Sequence, residues 1–431
     1  MSSIAQLRPM SLTIIAGDFP RLRRVLLVLF FAALPLSKVV LVGGKAINFS
    51  FADLLLPLIF CLIGCLTVAG SLRLPLLTLG LLNCALVLTS SLLNAESGLL
   101  TRGQTSNLVE LIKWFVLWAY FYAAVNLIQE ARDFRTALLA WIISAGFVAA
   151  LGIGGSLYFQ VTGVQNVFSL HYRAQGTFED SNLFAAYLSA SLVLALLYRR
   201  IAGYRASWVW LLIGLYLCGV FLSASRGALL ALMVGLGFLW LFFTPLRVKI
   251  AVGSLSAIVF VLAMASPAQK QILESNPITK RLATTTVNVN NPEAEQRKSL
   301  WTAAIHTWQE NPFFGAGRGN HGPKMPGGRI GIPAAHNTYL GLLAELGVFG
   351  FMSLAALVAA VAAPLIATGP SDDKLSPALL LTGLMMFALN GMTINLENCR
   401  AIWVLLALCV CFAQDRMGIL DLNFEGRRGQ R

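Results

Sequence analysis

Five segments of this 431-residue chain place ionisable side chains where long apolar runs begin or end. RAQGTFEDSNLFAAYL (173–188) sets Arg173, Glu179, Asp180 and Asn182 at the mouth of a helix expected to start near Asn182. SASRGALLAL (223–232) places Arg226 at the junction of two apolar runs, where a guanidinium must snorkel, pair or bind an anion. Ser225 and Gly227 on either side leave room for a bulky phosphate. HNTYLGLLAELGVFG (336–350) opens another apolar run with His336 and Asn337. The positive end of a helix disfavours imidazolium, so His336 there is a neutral imidazole able to accept a proton. NPFFGAGRGN (311–320) has the glycine content of a phosphate-cradling loop, but neither the preceding strand nor the Lys-Ser/Thr of a P-loop. The turn holding Glu397 and Arg400 separates the last two apolar runs.

Each segment also has a plainer reading. Asp180 or Ser181 can serve as a helix cap while Gly176 makes a turn, and His336 can be a polar cap. Glu345 lies about 13 Å along its helix at ~1.5 Å per residue, where an acid needs an arginine or a backbone donor inside the bundle. Arg297 stands four residues before Trp301 and can snorkel. Taken together the residues favour chemistry. Several arginines, no acidic metal cluster and one helix-terminal histidine suit a substrate that carries a diphosphate. Guanidinium groups stabilise a departing diphosphate by fixed charge and bidentate hydrogen bonds, as a metal would. A neutral histidine takes the proton of an attacking hydroxyl.

The elements that must hold these groups are membrane helices. Hydrophobic residues make up 57% of the chain and charged ones 12%, too few polar groups for a soluble domain. The apolar runs are continuous rather than alternating, which favours an all-α bundle over a barrel. Runs near 25–43, 51–69, 73–93, 107–127, 136–160, 182–198, 207–223, 226–243, 248–266, 336–366, 376–394 and 400–414 make about twelve spans. The expected organisation is helices 1–9 in residues 1–266, a large outer loop at 267–335, helices 10–12 in 336–414 and a basic tail at 415–431. The run after Arg21, Arg23 and Arg24 reads as a retained first helix rather than a cleaved signal. Six of the seven cysteines lie within apolar runs, and none has metal or disulfide spacing.

The net charge of +13 comes in short clusters between the runs, so it orients helices and is no nucleic-acid signal. Arg8, Arg21, Arg23, Arg24, Arg73, Arg132, Arg135, Arg199, Arg200, Arg205, Arg247, Lys249, Lys374, Arg416, Arg427, Arg428 and Arg431 fall on one side, which the positive-inside rule makes cytoplasmic together with both termini. Lys45, Arg102, Arg173, Arg226 and Arg400 occupy the opposite short loops. All four histidines (His171, His306, His321 and His336) share that outer side. Within the large loop, residues 292–311 read as an amphipathic helix. Pro292 suits its first position, Glu293 and Glu295 favour its positive end, and Leu300, Trp301, Ala304, Ile305 and Trp308 form an apolar stripe suited to a membrane interface.

On these segments the chain resembles the superfamily of O-antigen ligases and polymerases, membrane glycosyltransferases that use undecaprenyl-diphosphate-linked glycans. The likeness extends over essentially the whole chain, through Arg173–Leu188, Ser223–Gly227, Arg297–Trp301, Asn311–Gly319 and His336–Gly350. It implies that Arg226 and a loop arginine, Arg297, engage the diphosphate, while His336 activates the acceptor hydroxyl in a metal-independent, inverting displacement. Arg281 is the other loop candidate. Arg173, Asn182, Arg281, Asn337, Arg318, Glu397 and Arg400 are the expected substrate-binding residues, with no metal and no cofactor. Implied partners are the lipid-linked donor, a lipid A-core or glycan acceptor, and membrane lipid, in a bacterial inner membrane with the site facing the periplasm. The family includes ligases, polymerases and protein O-oligosaccharyltransferases, and the resemblance leans to ligase. A transporter of lipid-linked glycan is the competing class, but transporters concentrate ionisable residues near the midplane in repeated halves.

Overall fold

The computed structural model describes residues 12–42, 45–68, 72–94, 105–203, 206–249, 277–283, 292–319, 335–367 and 373–416. Among these residues the chain forms thirteen α-helices, two short hairpins and one 3-10 turn, Phe51–Leu55. The helices are α1 (Leu12–Ala33), α2 (Leu56–Val68), α3 (Leu77–Leu93), α4 (Thr105–Leu127), α5 (Ala131–Thr162), α6 (Ser181–Ala202) and α7 (Val209–Leu222). They continue with α8 (Arg226–Phe243), α9 (Pro277–Ala283), α10 (Pro292–Glu310), α11 (Thr338–Ile366), α12 (Leu375–Gly391) and α13 (Arg400–Arg416). Five of the described helices are long and apolar enough to cross a membrane, and four shorter ones are also apolar. Leu81, Leu211, Leu230, Met233 and Phe242 project outward from them. Water would penalise that surface, whereas hydrocarbon does not. The protein is a helical membrane protein.

The first apolar run departs from the expected span at 25–43. Its helix ends at Ala33, and β1 (Ser37–Val42) pairs antiparallel with β2 (Lys45–Ser50), with Ser37 opposite Ser50. Pro35 cannot donate to a continuing helical ladder, and β-branched Val39, Val40 and Ile47 favour strands. The run at 51–69 likewise begins as the 3-10 turn, with Ser50 accepting from the Ala52 amide, before α2 starts. Beyond Lys249 the run expected at 248–266 lies outside the described residues, as do 267–276, 284–291, 320–334 and the tail from 417.

A central layer of α6 packs on α5, α7 and α12, with α8 against α12 and α13 against α4. Small residues permit these close crossings. A Cβ at Gly235 would stand 2.3 Å from the Met386 side chain, and one at Gly219 would stand 2.6 Å from Leu188. At one end of the bundle Arg23 and Arg24 bridge Asp133 and Glu130, and Arg200 bridges Asp373 at 2.8 Å. Arg73 donates to the carbonyls of Val125 and Ile128 and, at 3.3 Å, to Gln414. The cations at this end thus also act as ties between helix termini. α5 and α6 carry the chain between this end and the one that holds the candidate site.

Candidate active site

The turn between α7 and α8 reverses the chain within three residues. Ser223 closes α7, Ala224 takes a left-handed conformation (φ 51°) and Ser225 caps α8, whose first residue is Arg226. A non-glycine residue is rarely found there, because its Cβ crowds the carbonyl. Neighbours hold the turn: Ser225 N–H donates to Ser223 Oγ (3.2 Å), and Arg173 Nε donates to the Ser223 carbonyl (2.8 Å). Gly227 must be small, since a Cβ there would lie 2.4 Å from Thr393 Oγ1. Arg226 itself is half-buried.

Arg173 belongs to a chain of polar contacts that starts at the cap of α6. Asp180 Oδ1 accepts from Asn182 N (2.7 Å) and Asn182 Nδ2 (2.8 Å). Asn182 Oδ1 then accepts from an Arg173 terminal nitrogen at 2.9 Å. The capping role expected for Asp180 is therefore present, and its cap is wired through Arg173 to the Arg226 turn.

His336 also sits in the left-handed region (φ 48°), immediately before the Asn337 cap of α11. The Asn337 side chain accepts from Tyr339 N at 3.0 Å and Leu340 N at 3.1 Å, so capping is not the work of His336. Ala335 packs with Ala304 of α10 and with Ala344 and Leu340 of α11. On α10, Ala304 and Leu300 are buried while Trp301 and Ile305 face outward, so the expected apolar stripe divides into a packing edge and an exposed edge. Arg297 lies on the packing edge, one turn before Leu300, and is half-buried. This brings its charge toward His336. Burial lowers the imidazole's proton affinity below the ordinary histidine range, Asp180 opposes that change, and Arg297 adds to it. The neutral imidazole is thereby favoured.

The two turns occupy the same end of the bundle. Thr338 Oγ1 donates to the Ile394 carbonyl (2.8 Å) and accepts from Leu396 N (2.8 Å). Thr393 of the same α12–α13 connection packs on Gly227. Thr338 and Thr393 therefore clamp the His336 and Arg226 turns to one connection. Sequence reading missed both threonines, since nothing in their spacing distinguishes them from ordinary loop residues.

Other expected site residues fall in a second, closed cluster. Arg318 is 1% exposed, forms an ion pair with Glu345, lies over the Trp114 ring at 4.8 Å and donates to Asn398 at 3.1 Å. Glu345 also accepts from Gly319 N at 3.0 Å. The expected partners of Glu345, an arginine and a backbone donor, are both present. Asn398 donates to Glu110 (2.9 Å), which holds Lys113 at 2.6 Å. Glu110 was readable as an ionisable residue within an apolar run. Glu397 accepts from Asn395 at 2.6 Å, while its Oε2 is buried with no hydrogen-bond partner among the described residues. Burial, then the nearby Glu345 carboxylate, raises its proton affinity above the usual range, with Arg318 opposing. Arg400 pairs with Asp53 at 2.7 Å and 2.9 Å. Arg281 lies half-buried on α9. His171 and His306 are exposed, and His321 lies outside the described residues.

The described part of the glycine-rich segment completes a broken helix. α11 is interrupted at Gly347 (φ 63°, ψ −171°). The Ala344 and Glu345 carbonyls, which would ordinarily receive the amides of residues 348 and 349, accept instead from Ala316 N (2.8 Å) and Gly317 N (3.0 Å). The displaced amides of Val348 and Phe349 donate to the carbonyls of Pro312 (2.9 Å) and Phe313 (3.1 Å). Four exchanged hydrogen bonds splice residues 312–317 into the α11 ladder, as an interrupted helix within a membrane protein requires.

Residues 209–355 match the family model described as O-antigen ligase. The similarity is to O-antigen ligases over this segment. The matched segment runs from the start of α7 through the break in α11 and contains Arg226, Arg297 and His336. Arg173, Asp180 and Asn182 lie before it yet join its polar network. No curated protein matches the chain.

Proposed function

We propose that the protein is a membrane glycosyltransferase that moves an O-antigen glycan from undecaprenyl diphosphate to a hydroxyl of lipid A-core. In the proposed step the bond between the anomeric carbon and the diphosphate oxygen breaks, and its electron pair leaves with the lipid diphosphate. The same carbon bonds to the acceptor oxygen, whose proton passes to His336. Arg226 and Arg297 hold the diphosphate and offset the charge that develops on it, in the role a metal fills elsewhere. Asn337 is engaged in capping, and Arg318, Glu397 and Arg400 support the site from the closed cluster or from their own pairs. The observation that carries this reading is that Thr338 and Thr393 tie the His336 and Arg226 turns to one connection, with the Arg297 charge acting on the half-buried His336. The charge asymmetry of the short loops supports a periplasmic site and cytoplasmic termini.

The product left by a null strain tests the reading. Loss of a ligase leaves polymerised glycan on its prenyl carrier and lipid A-core unmodified, and this is the expected outcome. Lipid A-core bearing single repeat units would make the protein a polymerase. Loss of all outward glycan exposure would make it a transporter.

A further inference from the structure

Among the groups around the site, Asp180 has capacity that helix capping does not use. Its Oδ1 takes both hydrogen bonds from Asn182, at 2.7 Å and 2.8 Å. Asn182 then fixes Arg173, and Arg173 fixes the carbonyl of Ser223 in the left-handed turn before Arg226. The residue is half-buried, and its charge faces the His336 imidazole from α6 while Arg297 faces it from α10. One carboxylate thus has a link to each of the two turns of the site. It organises the Arg226 turn through two side chains, and its charge acts on the histidine.

We propose that Asp180 is a positioning residue of the transfer reaction, which keeps the Arg226 turn in register and holds a countercharge against His336 when that ring takes up the acceptor's proton. This rests on the glycosyl-transfer reading above. A fixed carboxylate beside an imidazole stabilises the imidazolium without accepting the proton itself, so the proton ends on His336 and Asp180 stays ionised. Arg297 acts on the same ring with the opposite sign, as a diphosphate ligand must when no donor is bound. Its positive charge disfavours premature protonation. When the diphosphate is seated, its negative charge offsets Arg297 and the Asp180 contribution prevails, so donor binding makes His336 a stronger base.

The test uses the full chain in lipid nanodiscs. Carbethoxylation of His336 by diethyl pyrocarbonate, read by peptide mass spectrometry across pH, reports the neutral ring without any substrate. Asp180→Asn keeps a good helix cap, so the fold is retained. The modification profile should move to lower pH in Asp180→Asn and to higher pH in Arg297→Gln, while transfer at neutral pH falls roughly tenfold in Asp180→Asn. Asp180→Ala, which also removes the cap, should fall further. An unmoved profile together with wild-type transfer in Asp180→Asn would reduce Asp180 to a cap and overturn the proposal. Retained transfer in His336→Ala is a different failure. It would strike the glycosyl-transfer mechanism, whereas the carbethoxylation profile is independent of that outcome.

Discussion

Two regions of this molecule use the left-handed backbone conformation for different ends. In the splice around α11 the positive φ angles belong to glycines, at Gly315, Gly317, Gly319 and Gly347. There the conformation costs little, and four exchanged backbone hydrogen bonds follow from it. In the turns before α8 and α11 the same conformation is imposed on Ala224 and His336. Each carries a strain on the order of 1–3 kcal/mol that surrounding contacts must offset. Both regions look alike in sequence, as small or polar residues near an arginine at the edge of an apolar run. The difference lies in where the arginine goes. Arg318 is spent inside the protein on Glu345, whereas Arg226 and Arg297 remain half-buried at the bundle end. Of these two regions, the candidate site places the left-handed conformation on non-glycine residues and the splice places it on glycines.

The sharpest way to break this contrast is to add one carbon to the splice. A Cβ at Gly315 would meet the Glu345 carbonyl carbon at 2.3 Å and Leu346 N at 2.4 Å, in a backbone conformation that already disfavours alanine. Gly315→Ala should lower stability by more than about 3 kcal/mol, seen as a lower melting temperature in detergent and reduced membrane yield. A stable Gly315→Ala protein would show that the four-bond exchange is dispensable. The smaller effect is expected at the strained turn. Ala224→Gly relieves the left-handed strain, so its melting temperature should stay level or rise by the equivalent of ~1 kcal/mol. A fall of similar size would mean that Ala224 is unstrained and that the contrast between the regions is false.

Much of the scaffold was legible beforehand because bilayer length and hydrophobicity constrain it tightly. The ends of α10, the cap of α6 and the pairing of Glu345 followed from composition, cap residues and the expense of an isolated membrane acid. The hairpin at 37–50 did not, since six strand residues within an apolar run read as helix until Pro35 is given its weight. Spacing placed His336 and Arg226 on the same side, but it could not reveal that Thr338 and Thr393 clamp their turns to one connection. The role of 312–317 was hidden for a related reason. A glycine-rich loop advertises tight approach to something, and sequence cannot say whether that partner is a phosphate or the backbone of another helix.

The most direct measurement is glycan transfer by purified protein in nanodiscs, with a prenyl-diphosphate-linked donor and lipid A-core acceptor, comparing wild type with His336→Ala and Arg226→Ala. Each variant should retain wild-type melting and lose transfer by at least about 100-fold, the scale of a missing general base or charge stabiliser. Transfer within a few-fold of wild type in either folded variant would contradict the assignment of proton acceptance and diphosphate binding to these two turns.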